Sequence, residues 1–274
     1  MVKGNSPSEL VGRIAFHALV IGGFAVIVLP LVLVVWLSFV SDAILTVPPD
    51  GYSFRWYAEM FRQPQFMDGF ATSLIVALVA TLAGLALTIP ASFVLARMAF
   101  RGRDAILHLL MSPLIVPAIV IGSALYMMFV EVEIRTGLPI TGSVWGLAAG
   151  HVLLTIPWSI RLVSANLVGV NPSVEEAALS LGATPLATAL RITLPIVWPG
   201  VVAAALFSFV VSFGNLEVSL FLVSAGETTL PIAVLQYLQW KINPTVAAVS
   251  VLQIVVVGTG LLLTSRFVNL ARTV

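Results

Sequence analysis

Cysteine is absent from the 274 residues, which excludes disulfides and thiolate metal sites but leaves the compartment open. Charge is almost as scarce. Asp, Glu, Lys and Arg make up 9% of the chain, against roughly 25% in soluble domains, too few to cover a globular surface of this size. The net charge of +1 comes without a basic cluster, so nothing suggests a nucleic-acid footprint. There is no Gly-rich loop of the form G-x4-G-K-[ST], and binding of ATP by that mechanism is excluded. His17, His108 and His151 are scattered over different segments with no H-E-x-x-H pair, and each reads as an interfacial or helix-packing residue rather than a metal ligand. What is plentiful is apolar. Hydrophobic residues make up 59% and the mean hydropathy is +1.09, an excess that has to face lipid. No fixed-period repeat, low-complexity tract or linker breaks the pattern, and one membrane domain over 1–274 is the simplest account.

A spanning helix needs roughly 20 mostly apolar residues. Uncharged runs of that length cover 14–41, 69–96, 105–130, 136–160, 192–216 and 242–265, and six transmembrane helices are expected inside them, making the chain all-α. The first run exceeds a signal-peptide core of about 7–15 residues and reads as a retained anchor. Six spans put both termini on one side, and basic residues choose the side. With the N terminus inside, Lys3, Arg13, Arg97, Arg101, Arg103, Arg161, Arg191, Arg266 and Arg272 are cytoplasmic, and only Arg55, Arg62, Arg135 and Lys241 lie opposite. Prolines punctuate the runs. Pro113 and Pro117, with Gly122, are the candidates for a bend that shapes a pathway. Trp56, Trp145, Trp158, Trp198 and Trp240 lie near expected span ends, where anchoring at the headgroup level accounts for them.

One polar segment between the apolar runs, about 161–195, has a structure of its own. Asn171-Pro172-Ser173 is a helix start, with a capping residue followed by a proline whose missing N–H costs nothing. Ser173 and Glu176 have capping-box spacing, which leaves the first residue open. Val174, Ala177, Ala178 and Leu181 recur as one apolar stripe, with Glu175, Glu176 and Ser180 facing elsewhere. Gly182 suits the left-handed end of that helix. Thr184-Pro185 starts a second helix carrying Leu186, Leu190 and Leu194. The small residues Ala177 and Ala178 let a partner's backbone come close, as when a short helix lies in a groove, and a glutamate in the first turn suits the helix dipole. The alternative is an amphipathic helix on the inner leaflet. Such helices carry larger apolar residues and basic flanks, and this one has neither.

The register Glu176-Ala177-Ala178, Gly182, then Ile192-Thr193-Leu194-Pro195 resembles the E-A-A loop of permease subunits in binding-protein-dependent ABC importers. Tyr52-Ser53-Phe54-Arg55-Trp56-Tyr57, Pro113-Leu114-Ile115-Val116-Pro117, and Ser212-Phe213 followed by Ser219-Leu220-Phe221-Leu222 are similar to the spermidine/putrescine-type branch, and the resemblance runs from about Tyr52 onward. It implies a type I importer permease fold in a bacterial inner membrane. Its partners would be a second, similar permease or a copy of this one, two ATPase subunits and a solute-binding protein. ATP would be bound by those partners and no cofactor by this chain, which would not itself be an enzyme. It also implies that Glu175, Glu176, Ala177, Ala178 and Gly182 form the ATPase-coupling site, and that access alternates between the two sides.

Polar groups inside a membrane are expensive, so each is a pathway candidate. At about 1.5 Å rise per residue, Asn215 and Glu217 lie roughly 25 Å from Gly200. Ser212, Asn215 and Glu217 would then stand near the entry of solute. Polyamine permeases tend to carry acidic residues after the Ser-Phe pair, whereas here Gly214 and Asn215 follow. Glu217 either compensates or is a solvated end-of-helix charge. Other solutes within the resemblance are ferric iron, an aminophosphonate or an amino-acid derivative. A membrane enzyme needs converging acid, base or metal ligands, which the runs do not offer. An ion-driven secondary transporter is expected to show inverted repeats and buried carboxylates, and neither is evident.

Overall fold

A computed structural model describes residues 7–44, 46–224 and 226–270. Among them there is no β-strand, only an isolated antiparallel bridge between Val40 and Tyr52. The helices are α1 (Pro7–Leu37), α2 (Arg55–Arg62), α3 (Pro64–Arg97), α4 (Arg103–Met111), α5 (Ala118–Thr136), α6 (Val144–Val168), α7 (Pro172–Ser180), α8 (Pro185–Thr188), α9 (Leu194–Phe213), α10 (Ser219–Leu222), α11 (Leu230–Trp240) and α12 (Thr245–Leu270). Five stretches are long and apolar enough to cross a membrane: Gly12–Leu37, Pro64–Arg97, Val144–Val168, Pro185–Phe213 and Thr245–Ser265. A sixth arises if the bent pair Arg103–Leu114 and Ala118–Thr136 is one span.

That pair corrects the expectation of a single helix over 105–130. The chain bends by 103° between its two arms. Pro113 opens a short 3₁₀ turn over Ser112–Leu114 and Pro117 caps α5, and neither proline can donate to the preceding turn. Gly122 is not part of the bend. It lies inside α5, where an added Cβ would come 3.1 Å from the Val218 backbone and closer still to the Phe221 ring. The fourth run is also displaced. Residues 137–143 are a loop, with Gly137 and Gly142 at positive φ, and α6 starts at Val144, capped by the Ser143 hydroxyl. Arg161 is therefore inside a helix. Lys3 and Arg272 lie outside the described residues, as does the side chain of Arg266.

Two compact units emerge, Met1–Arg62 with Tyr237–Ile254, and Gln63–Gln236 with Val255–Val274. In the first, α1 leaves Phe16, Leu19, Val26 and Leu31 exposed, the pattern of a helix bathed in hydrocarbon. Its outgoing loop is tied down by polar contacts. The Trp56 indole N–H donates to the Val40 carbonyl (2.6 Å), and Ser38 and Tyr57 share a hydroxyl hydrogen bond (2.8 Å). Asp42 accepts from the Asp50 amide (3.0 Å) and the Thr46 hydroxyl (2.9 Å). Trp56 is thus a buried staple rather than a headgroup anchor.

The second unit is built on α3, α6 and α9, which pack on one another. Close approach depends on small residues, as is usual for membrane helices. A Cβ at Gly84 on α3 would meet the Thr155 hydroxyl of α6 at 2.3 Å, and one at Gly200 on α9 would meet the Asn166 amide at 2.4 Å. Leu85, Val163, Leu167, Val170, Val197 and Val201 form the apolar core at one end. Trp158 also departs from its expected anchoring role, for it stacks on Phe207 of α9.

Candidate functional site

Helix α7 begins where the local chemistry places it. The Asn171 side chain accepts from the Ser173 amide (3.1 Å), and Pro172 occupies the first turn. Asn171 rather than Ser173 is therefore the cap. Gly182 ends the helix at φ +89°, a left-handed conformation that favours glycine. Thr184 then caps α8 by accepting from the Ala187 amide (3.2 Å). The return to the membrane contains a wide π turn over Ala189–Thr193, in which the Leu194 amide donates to the Ala189 carbonyl. The four-residue leucine spacing gave no sign of this turn.

The expected stripe is divided. Ala178 is 8% exposed and faces the protein, whereas Leu181 is 89% exposed, and Val174, Glu176 and Ala177 are also exposed. Glu175 corrects the reading in which it faces away with Glu176. It turns inward, and its carboxylate pairs with the Arg97 guanidinium at 3.0 Å. The same carboxylate accepts from the Thr193 hydroxyl (2.8 Å), while Arg97 Nη2 also donates to the Val170 carbonyl (3.3 Å). Neither Arg97 nor Thr193 was singled out as a partner in the sequence, because they lie 78 and 18 residues from Glu175. A cavity of about 250 Å³ adjoins this junction, lined by Phe93, Arg97, Met98, Glu175, Leu179 and Thr188.

At the far end of α9, the expected pathway residues do not form one exposed cluster. Ser212 is buried and bonds to His151 Nδ1 (2.8 Å), while His151 Nε2 bonds to Ser219 (3.0 Å). His151 is a helix-packing histidine, fastening α6 to both α9 and α10. Asn215 Oδ1 accepts from the Val218 (3.0 Å) and Ser219 (3.3 Å) amides, so it caps the turn entering α10. Glu217 is exposed. A second buried pair, Ser159 with Ser208 (2.9 Å), lies farther along the α6–α9 contact.

Spanning helices, an interrupted span and a short capped helix between α6 and α9 define a transporter membrane subunit. The chain belongs to the family described as the binding-protein-dependent transport system inner membrane component, whose model matches residues 88–271. It is 32% identical over 237 residues to the putrescine transport system permease protein PotI of Escherichia coli (strain K12), covering 86% of this chain and 84% of that one. It is 28% identical over 233 residues to the spermidine/putrescine transport system permease protein PotC of Haemophilus influenzae, covering 85% and 88%. A solved bacterial ABC transporter involved in import of the acidic polysaccharide alginate has a chain of the same fold. Its TM-score is 0.75 over 97% of this chain and 99% of that one, at 16% identity.

Proposed function

We propose that this chain is the permease subunit of an ATP-driven importer for a polyamine such as putrescine, or a related amine. The observation that carries the reading is the exposed α7–Gly182–α8 unit in a chain similar to the two polyamine permeases named above. Glu176, Ala177, Val174 and Leu181 would meet a groove on an ATPase subunit, and Gly182 would fix the angle at which α8 returns to the membrane. Two ATPases, a second permease and a solute-binding protein complete the assembly. ATP hydrolysis belongs to the ATPases, and their closure biases a two-state equilibrium between inward and outward access. The excess of arginine on the α7 side supports a cytoplasmic location for that side. Ser212 and Asn215, engaged in internal hydrogen bonds, shape the wall of the path, and Glu217 is the acidic group left to meet a cation.

Co-purification tests the reading. The tagged chain, expressed with its neighbouring transport genes, should bring down an ATPase subunit, and Glu176→Lys should abolish both that association and putrescine uptake. A complex with no ATPase, under conditions that preserve assembled relatives, would sink it.

A further inference from the structure

We propose that Arg97, Glu175 and Thr193 form a strut that transmits displacement of α7 to the membrane helices. The proposal rests on the reading above, but it gives Glu175 a different task from Glu176. Glu176 is exposed and free to meet another protein. The Glu175 carboxylate is engaged on both sides, by Arg97 at the end of α3 and by Thr193 in the π turn leading to α9. Arg97 also donates to the Val170 carbonyl, just beyond α6, and Val170 belongs to the apolar core with Val163, Leu167, Val197 and Val201. One ion pair thus joins the exits of α3 and α6, the first turn of α7 and the entry to α9.

Stability alone does not account for this arrangement. The two side chains keep 23% and 18% of their surface exposed, and ion pairs that remain partly solvated add little to folding. The helix dipole favours a carboxylate in the first turn of α7, yet it does not require an arginine from α3 or a hydroxyl from α9. The π turn contributes as well. By inserting a residue into the helix it changes the phase of the following turn, and its last residue is Thr193, whose hydroxyl reaches Glu175. Without the strut, α7 is held by Ala178 and by the short connections at either end, and it can shift without moving α3 or α9. Arg97, Glu175 and Thr193 are therefore positioning residues.

The test is a double-mutant cycle on the full transporter in proteoliposomes, reading ATP hydrolysed per putrescine taken up. Arg97→Gln and Glu175→Gln should each raise that ratio by about fivefold or more, the scale of a typical coupling between sites. The double variant should be no worse than either single one, because both break the same link, and Arg97→Lys should stay nearer to the unaltered protein. A second readout needs neither solute nor ATP. Spin labels at Ser180→Cys on α7 and Ile196→Cys on α9, in a chain that otherwise lacks cysteine, should give a narrow distance distribution that broadens in both Gln variants. Unchanged widths and ratios, or additive effects in the double variant, would overturn the strut. Failure of the unaltered complex to couple ATP to uptake would instead overturn the functional reading, with the label distances still deciding the strut.

Discussion

His151 shows what a single polar side chain does in an apolar bundle. Both ring nitrogens are occupied by serine hydroxyls from α9 and α10, and all three residues are buried. Replacing it with alanine removes two hydrogen bonds and strands the Ser212 hydroxyl, whereas Ser219 keeps its bond to the Asn215 carbonyl (2.9 Å). One stranded group costs about 1–3 kcal/mol and the vacated ring volume adds a cavity cost, so His151→Ala should lower stability by about 2–5 kcal/mol. A thermal-shift measurement in detergent should show a clear drop. Ser212→Ala should cost less, since one ring nitrogen keeps its partner. Equal melting of His151→Ala and the unaltered chain would rule out this role.

Elements were legible in the sequence where the signal is local. Asn171-Pro172, Gly182 and Thr184-Pro185 mark starts and stops by their own backbone chemistry, and the structure uses all of them. Boundaries failed where charge was the guide. The loop residues 137–143 carry no charge and were absorbed into a span, though Gly137 and Gly142 take left-handed conformations there. The pairing of Arg97 with Glu175 was not legible at all, because nothing in a linear chain says which arginine of several meets which glutamate. The loop after α1 has a pH-dependent tie of the same kind. Asp42 has its pKa held below the ordinary 3.8, chiefly by the hydrogen bond from the Asp50 amide and then by the Thr46 hydroxyl. A depressed carboxylate stabilises the folded loop above 3.8, and that contribution is lost as pH falls below 3.8 through the folded-state value. The protection of the Asp50 amide against hydrogen exchange, corrected for intrinsic rate, should therefore fall in that window. In Asp42→Asn the dependence should vanish, and its persistence would assign it to another group.

For the whole molecule the main question is orientation, and the lack of cysteine makes it directly measurable. Leu181, 89% exposed beside Gly182, and Trp240, 86% exposed at the end of α11, lie on opposite sides in the proposed topology. Leu181→Cys should react with an impermeant maleimide only in inside-out vesicles, and Trp240→Cys only in intact spheroplasts. The reverse pattern would invert the topology and remove α7 from the reach of any ATPase. The family assignment depends on none of this, since it rests on residues 88–271 as a whole.

The 103° break between α4 and α5 carries a further consequence for solvation. The Ile115 and Val116 amides still donate to the Ser112 carbonyl, but Pro113 and Pro117 bring no amide to the ladder, and acyl chains offer nothing to which an orphaned oxygen can bond. In a bilayer such a break is expected to be turned toward another polypeptide or a wet vestibule rather than toward the acyl chains.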